Sequence, residues 1–293
     1  MSVKYAFICS EEGNYPVQKM CRWAKVSSSG FYEWRGRGPS PSQLRRRLAV
    51  LVDWSFTDSD GTYGYRRVHA HLARLGEVAD LETIRAIMRD LGLVACQPRP
   101  WRPTTTVAGD LSSTPDLVNR DFTSDTPATK LVGDITYIPT WEGWLYLATV
   151  LDCHTKQVVG YAMADHLRTS LIIDALTMAA LRITIRPDVT VFHSDRGCQY
   201  TSKEFADTTT VLHIRRSLGR TGTCYDNAWA ESFNGTLKNE RVNRTTYPTR
   251  EHARIDISRY IELRYNQKRL HSALGYITPN EAERTWFEQK PAA

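Results

Sequence analysis

Three carboxylates in this 293-residue chain stand where chemistry is possible. Asp134 lies within Val132-Gly-Asp-Ile-Thr-Tyr-Ile138, a strand-like run. A carboxylate in so apolar a strand is expensive to desolvate unless a positive charge meets it. A metal ion is the economical partner, and an edge-strand Asp facing water or an arginine is the plainer structural alternative. Asp195 directly follows the apolar run 189–193, in Ser194-Asp-Arg-Gly197. Open α/β sheets place ligands at the carboxyl ends of their strands, although Asp near Gly is also ordinary turn chemistry. Glu231 belongs to a predicted helix beginning near Asn227. There Asn227, Glu231, Asn234, Lys238 and Arg241 recur at spacings of 4, 3, 4 and 3, a polar stripe beside the apolar Trp229, Phe233 and Leu237. A solvated helix face would carry the same stripe. Asp152, ending a predicted strand, is the rival third carboxylate and ranks below Glu231, which the stripe favours.

The elements that must position these groups follow from periodicity. Residues 131–139, 144–152 and 156–164 read as strands, with Glu142 and Gly143 in the first turn. Residues 170–183 read as a helix (Ile173, Leu176, Ala180), 189–193 as a short buried strand and 213–218 as a fifth strand. Thr201-x-x-Glu204 reads as a capping box opening the helix between the last two. The order βββαβαβα predicts an α/β mixed sheet covered by helices; it matches a ribonuclease H-like topology, although connectivity alone does not name that fold. C-terminal helices follow, one carrying Ile255, Ile261, Leu263 and Tyr265, another starting at Thr278-Pro279 with Glu281 three residues after the Thr.

Upstream the chain reads as all-α. Val17, Met20 and Trp23, then Phe31, Tyr32 and Trp34, form a helix-turn-helix pattern. Arg22, Arg35, Arg37, Arg45, Arg46 and Arg47 surround it, as phosphate contacts require; a small bundle with a wet basic face is the alternative. A second helical pair carries Val68, Leu72 and Leu75, then Leu81, Ile84, Ile87 and Leu91, with Gly76 between and Gly92 at the end. Tyr63, Tyr65, Arg66 and Arg67 precede it, placed either to reach a DNA backbone or to pack. From residue 97 periodicity disappears and Pro98, Pro100, Pro103, Pro115 and Pro127 accumulate, as in a linker. The chain therefore divides into a head at 1–50, a second helical domain at 54–96, a linker at 97–124 and a catalytic domain with its helical extension at 125–287.

Composition excludes several classes. With 41% hydrophobic and 24% charged residues, the chain can bury cores and is not disordered throughout. The apolar-rich run 144–151 falls well short of the roughly 20 residues that span a bilayer. Glu11 and Glu12 follow too short an apolar start for a secretory signal, so a cytoplasmic protein is expected. Cys9, Cys21, Cys96, Cys153, Cys198 and Cys224 form no C-x-x-C pair and read as reduced thiols. The net charge of +6 is unevenly spread: 16 Lys+Arg against 10 Asp+Glu in 1–103, 2 against 4 in 104–130, 9 against 10 in 131–230, and 11 against 8 in 231–293. Basic flanks around an acidic middle suit an enzyme whose carboxylates collect a cation while its ends hold phosphates.

Taken together the motifs are specific. Asp195 and Glu231 are separated by 35 residues and Lys238 lies seven after the Glu. With Asp134-Ile-Thr-Tyr-Ile138, His193-Ser-Asp-Arg-Gly197, Asp226-Asn-Ala-Trp-Ala-Glu-Ser-Phe-Asn234 and Tyr265-Asn-Gln-Lys-Arg-Leu-His271, the chain closely resembles the DDE transposases of bacterial insertion sequences. The resemblance is to the second-frame (OrfB) product of the insertion sequence three family, related to retroviral integrases. It extends to Ser29-Gly-Phe-Tyr-Glu-Trp34 and Tyr63-Gly-Tyr-Arg-Arg-Val-His69. Leu131 and Tyr161 stand where the family often has Trp, core-type changes that leave the carboxylates untouched. The His/Cys zinc module of retroviral integrases is absent from the sequence.

The resemblance implies that Asp134, Asp195 and Glu231 are the catalytic residues and the ligands of two Mg²⁺ or Mn²⁺ ions, about 4 Å apart in such sites. It implies metal-dependent cleavage at the ends of an insertion sequence and strand transfer into target DNA. Lys238, about 10 Å along the helix from Glu231, is the expected phosphate contact. Asn227, Asn234, Arg66, Arg67 and Arg269 are further DNA-contact candidates, while His193 and Arg269 either touch DNA or organise the site. The implied partners are double-stranded DNA, further copies of the chain and an upstream-frame protein joined by frameshifting, in a bacterial cytoplasm at the nucleoid. The alternatives are a catalytically silent DNA-binding regulator of the element and a ribonuclease H-like nuclease that cuts without joining.

Overall fold

The computed structural model describes residues 1–36, 41–96, 114–219 and 227–289. Arg37, most of the expected linker, Cys224 and Asp226 therefore lie outside the described residues. Helices α1 (Ser2–Ser10), α2 (Val17–Trp23) and α3 (Ser28–Gly36) gather Tyr5, Ile8, Met20, Cys21 and Phe31 into a small core. The sequence pattern predicts α2 and α3 but not α1, whose apolar residues lie all round the helix: Tyr5 and Ile8 are buried while Val3 and Phe7 are exposed.

Helices α4 (Pro41–Asp58), α5 (Tyr65–Arg74) and α6 (Leu81–Asp90) form a second bundle around Val52, Val68, Leu72, Ile84 and Ile87. α4 runs unbroken through the expected boundary between residues 50 and 54. Leu48 and Val52 face the second core, so the described bundle starts at Pro41, and the arginine triplet belongs to it. Arg45 pairs with Asp90 at 2.7 Å and Arg47 with Glu77, tying α4 to α6 and to the turn after α5. Asp80 caps α6 by accepting from the Glu82 and Thr83 amides at 3.0 and 3.1 Å.

The sheet comprises β1 (Lys130–Thr140), β2 (Gly143–Asp152), β3 (Val158–Ala164), β4 (Val191–Ser194) and β5 (Arg215–Leu218), in the order β3-β2-β1-β4-β5. The first three are an antiparallel meander, and β4 and β5 are parallel additions to β1. α7 (Thr169–Arg182), the short α8 (Cys198–Thr201) and α9 (Lys203–Val211) cover one face around Leu131, Val159, Leu176 and Phe205. α9 is capped by Ser202, whose Oγ accepts from Phe205 N at 3.2 Å; the expected cap, Thr201, ends α8 instead. β3 and α7 meet at Gly160, where a Cβ would stand 2.3 Å from Ala175 O and 2.6 Å from Ala179 N. Only a glycine permits that approach.

The other face is covered by α10 (Ala228–Glu240) and α11 (Arg250–Arg259), which bury Phe233, Leu237, Ala253 and Ile257 against Val132, Ile138 and Leu147. α11 passes into a π-helical turn, Tyr260–Asn266. α12 (Pro279–Gln289) begins with the expected reciprocal cap: Thr278 N donates to Glu281 Oε2 at 2.8 Å and Glu281 N to Thr278 Oγ1 at 3.2 Å. The described end of the linker is bonded to β5, Leu117 N donating to Ser217 Oγ at 2.8 Å. Cys9, Cys21, Cys96, Cys153 and Cys198 are free thiols. No helix among the described residues is long and apolar enough to cross a membrane.

Candidate active site

β4 pairs with β1 only across Lys130–Val132, so from Gly133 onward β1 has an edge without a strand partner among the described residues. α10 fills part of that gap. Asn227 Nδ2 donates to Gly133 O at 3.0 Å, Asn234 Nδ2 to Asp134 Oδ2 at 2.8 Å, and Lys238 Nζ sits 4.6 Å from the Tyr137 ring centroid. One helix face thus runs along β1 from Gly133 to Tyr137, as a stripe at 4, 3 and 4 spacing allows. Glu231 lies on the same face, in the first turn of α10.

Asp134 is half-buried, and its Oδ1 accepts from Ile135 N at 2.8 Å. Asp195 follows β4 into solvent and accepts from Gly197 N at 3.0 Å. Burial is the main influence raising the Asp134 carboxyl to about 7, followed by the Asp195 charge, with Glu231 a smaller contributor in the same direction. Glu231 is likewise raised by burial and by Asp195. Burial pushes the Lys238 amine down, and Asp134 acts in the opposite direction. The three carboxylates expected from sequence therefore repel one another across the space between β1, β4 and α10.

The donor chemistry fits a hard divalent cation. All three candidate ligands are carboxylate oxygens, the kind Mg²⁺ and Mn²⁺ prefer. Asn227 Oδ1 and Asn234 Oδ1 are buried without a hydrogen-bond partner, and each belongs to a side chain anchored at Gly133 or Asp134. Among the described residues no three His, Cys, Asp or Glu side chains form a group that could hold a metal ion.

Several expectations change. Asp152 is buried and fully engaged in a turn, accepting from Ala128 N at 3.1 Å, Thr155 N at 2.9 Å and Thr155 Oγ1 at 2.7 Å. It is structural. Asn227 and Asn234 are buried and turned onto β1, so they orient the strand and Asp134 and do not face a DNA backbone. His193 is fully buried, with Nδ1 2.8 Å from Ser217 Oγ, and braces β4 against β5.

Arg67 donates to Leu270 O at 3.1 Å, and Arg269 is buried against Glu240. Arg269 is buried and Arg67 half-buried, and both are engaged with groups of the protein itself. Arg66 is exposed, its guanidinium 5.3 Å from the Tyr65 ring centroid.

The segment Tyr265–His271 explains these commitments. The Tyr265 ring packs edge-on against Phe233 of α10, centroids 4.8 Å apart. Asn266 bonds both the N–H and the C=O of Val158 at 3.0 Å, acting as a substitute strand at the start of β3. Glu240, the last residue of α10, receives Arg269 at 2.8–3.0 Å and the Tyr260 hydroxyl at 2.7 Å. His271 sits against Tyr265 and beside the Arg269 cation, and burial with that charge pushes its imidazole down to about 2.

The same segment carries the second bundle. The Tyr63 hydroxyl donates to Lys268 O at 3.0 Å and accepts from Leu270 N at 2.8 Å, while Leu270 enters the bundle's core. Arg264 Nη1 donates to Asp58 O at 3.0 Å and Arg244 Nη1 to Asp60 O at 2.7 Å. Sequence shows these residue types but not their partners, some 200 positions away.

Comparison with known proteins follows the same division. Residues 124–224 and 212–279 each match a family model described as Integrase core domain, and 43–101 match one described as HTH-like domain. Transposase InsF for insertion sequence IS3 of Escherichia coli O111:H- is 36% identical over 284 residues, covering 96% of this chain and 98% of that protein. The insertion element IS600 uncharacterized 31 kDa protein of Shigella sonnei is 38% identical over 261 residues, covering 89% of this chain and 96% of that one. Among solved structures, the HTLV-2 integrase catalytic core domain in complex with magnesium is 18% identical. It covers 53% of this chain and 96% of its own, at a TM-score of 0.41.

Proposed function

The chain belongs to the transposase family of the insertion sequence IS3, and on that premise we propose that it cuts DNA at the ends of such an element and joins the freed strand to a target. It is a polynucleotidyl transferase of integrase-core type. Asp134, Asp195 and Glu231 are its catalytic carboxylates and would hold two divalent cations. When bound, these supply charge stabilisation to the attacking and leaving oxygens of an in-line phosphoryl displacement.

The chain's own residues do the positioning. Asn234 holds Asp134 Oδ2 and Asn227 holds the strand one residue earlier, so the Asp134 carboxylate keeps a fixed heading. Glu231 approaches from the first turn of α10, whose far end is fixed through Glu240. Lys238 presents an ammonium along the same face for a phosphate of the bound strand. The second bundle, through Arg66, is the proposed duplex-binding module, with the head at 1–36 as another. The protein acts as a homo-oligomer on DNA and as a frameshift fusion with an upstream-frame protein, in the bacterial cytoplasm.

The observation that carries this reading is Asp134 at the open edge of β1, held by Asn234 of α10, with its carboxyl raised by burial and by the charges of Asp195, after β4, and Glu231, on α10. The test is a nicking and joining assay of the purified full-length protein on plasmid DNA bearing the element ends, with Mg²⁺ and with EDTA. Asp134→Asn, Asp195→Asn and Glu231→Gln should each abolish both reactions while gel-shift binding persists. Wild-type rates in any one of them would sink the assignment. Binding without nicking by the native protein would make the chain a regulator.

A further inference from the structure

The second bundle and the helical extension of the catalytic unit meet around a cavity of about 260 Å³. Asp60 and Thr62 line it from the bundle, and Arg241, Asp256, Arg259 and Arg264 from the extension. Organic ligands fill pockets of roughly 300 Å³ and more, so this space suits one small group. It lies at the end of α10 that carries Glu240 and Arg241, away from the Glu231 end and the carboxylate site.

Charge around the cavity is unbalanced. Asp256 accepts from Arg241 Nε at 2.8 Å, and Glu240 is held by Arg269 at 2.8 Å. Asp60 stands 3.7 Å from Arg241 and 3.6 Å from Arg244. Arg241, Arg244 and Arg269 thus answer the three acids, and Arg259 and Arg264 are two cations beyond that balance. Arg259 is exposed and forms no ion pair or side-chain hydrogen bond with a described residue. Arg264 reaches only neutral oxygens, Asp58 O at 3.0 Å and Thr62 Oγ1 at 3.4 Å, and its Nε is buried without a hydrogen-bond partner. A buried donor on a charged group is costly until an acceptor meets it.

The backbone brings these two arginines together. Tyr260–Asn266 is π-helical, and i→i+5 bonding sets residues five apart on one face. An α-helix, at about 100° per residue, would turn Arg264 about 140° away from Arg259. Such π turns recur at functional sites. The Tyr63 ring, with its centroid 5.4 Å from the Arg264 guanidinium, packs against that cation from the bundle side.

Two guanidinium groups without carboxylate partners at one small cavity are suited to an oxyanion, which each fork can meet with paired N–H donors. We propose that the cavity between the second bundle and the α10–α11 end of the catalytic unit is a phosphate site, held by Arg259 and Arg264 and separate from the carboxylates. The same chemistry admits a backbone phosphodiester of bound duplex and a free phosphate ion. The backbone case rests on the transferase reading above, and the free-ion case stands without it. Because the lining comes from both units, an occupied site bridges them and favours the docked bundle by mass action.

The test uses full-length protein in EDTA. Sodium phosphate, compared with chloride at matched ionic strength, should raise the native melting temperature by about 2–4 °C and that of Arg259→Gln by less than half as much. In duplex binding between about 50 and 200 mM salt, the slope of log K against log salt should be shallower by about one in Arg259→Gln. Arg254→Gln, on α11 but outside the cavity, should match the native protein in both; urea midpoints of both variants control for folding. Loss of the phosphate effect with an unchanged slope assigns the free ion, and loss of the slope unit assigns the backbone. Arg259→Gln that behaves as native in both measurements, or equal losses in Arg254→Gln, overturn the site. A native protein that binds no duplex while Arg259→Gln loses the phosphate effect keeps the site and sinks the transferase reading alone.

Discussion

Arg269 and Glu240 form an ion pair at 2.8 Å, each only about 5% exposed, at the opposite end of α10 from Glu231. A charge buried to this degree is tolerated only with its partner. Arg269→Ala should therefore cost about 3–5 kcal/mol of unfolding free energy, read from urea denaturation. Replacing both residues by apolar ones of similar size, Arg269→Met with Glu240→Leu, should recover most of the loss. A deficit under about 1 kcal/mol in the single variant would show that the pair is not the anchor described.

The Asp134 carboxyl, about 7 in the native protein against an ordinary 3.8, makes stability depend on pH in a defined direction. The native state binds this proton more tightly than the unfolded state, so stability is lost as pH rises from about 4 through about 7. Asp134→Asn carries no charge at any pH. In EDTA, the melting temperature of Asp134→Asn minus that of the native protein should become more positive between about pH 5 and about pH 8. Added Mg²⁺ should raise the native Tm at the higher pH and leave the variant unmoved. A difference that stays flat with pH would contradict the assignment.

The Tyr63 hydroxyl joins the second bundle to the catalytic unit by two hydrogen bonds. Tyr63→Phe leaves Leu270 N without an acceptor and should cost about 1–3 kcal/mol. If this bond docks the bundle, limited proteolysis should cut the variant between the bundle and the sheet faster than the native chain. Identical digestion patterns would mean that the bundle is held by other contacts.

Gly160→Ala places a methyl against the backbone of α7 at Ala175 and Ala179, which cannot yield as a flexible side chain would. The expected cost is about 3 kcal/mol, from overpacking, measured as a lowered urea midpoint. Full native stability would mean that α7 can slide off β3 at no cost.

The catalytic sheet was legible because strand period and turn residues agree along its meander: each of the five predicted strands overlaps an observed one. Asp134, Asp195 and Glu231, the proposed site, were picked out by spacing and family resemblance, and β1, the end of β4 and α10 carry them. Asp152 carried its own local signal, a Thr three residues on that bonds back to it. By contrast, the inward roles of Asn227, Arg67 and Arg269 depend on Gly133 O, Leu270 O and Glu240. Two of these partners are backbone carbonyls, which look alike in every sequence. α4 was hidden because its arginine triplet masked an apolar face at Leu48 and Val52.

The segment that locks α10, supports β3 and docks the second bundle comes after all three of them in the chain, and so leaves the ribosome after them. Until Arg269 and Leu270 emerge, a nascent chain already contains Asp134, Asp195 and Glu231, the five described strands and both helical bundles. The helix bearing Glu231 still has one loose end, and the early-made bundle has nowhere to sit. Synthesis order thus separates having the cutting groups from having them aimed, and a message truncated shortly before codon 269 would yield a protein that contains the site without the means to set it.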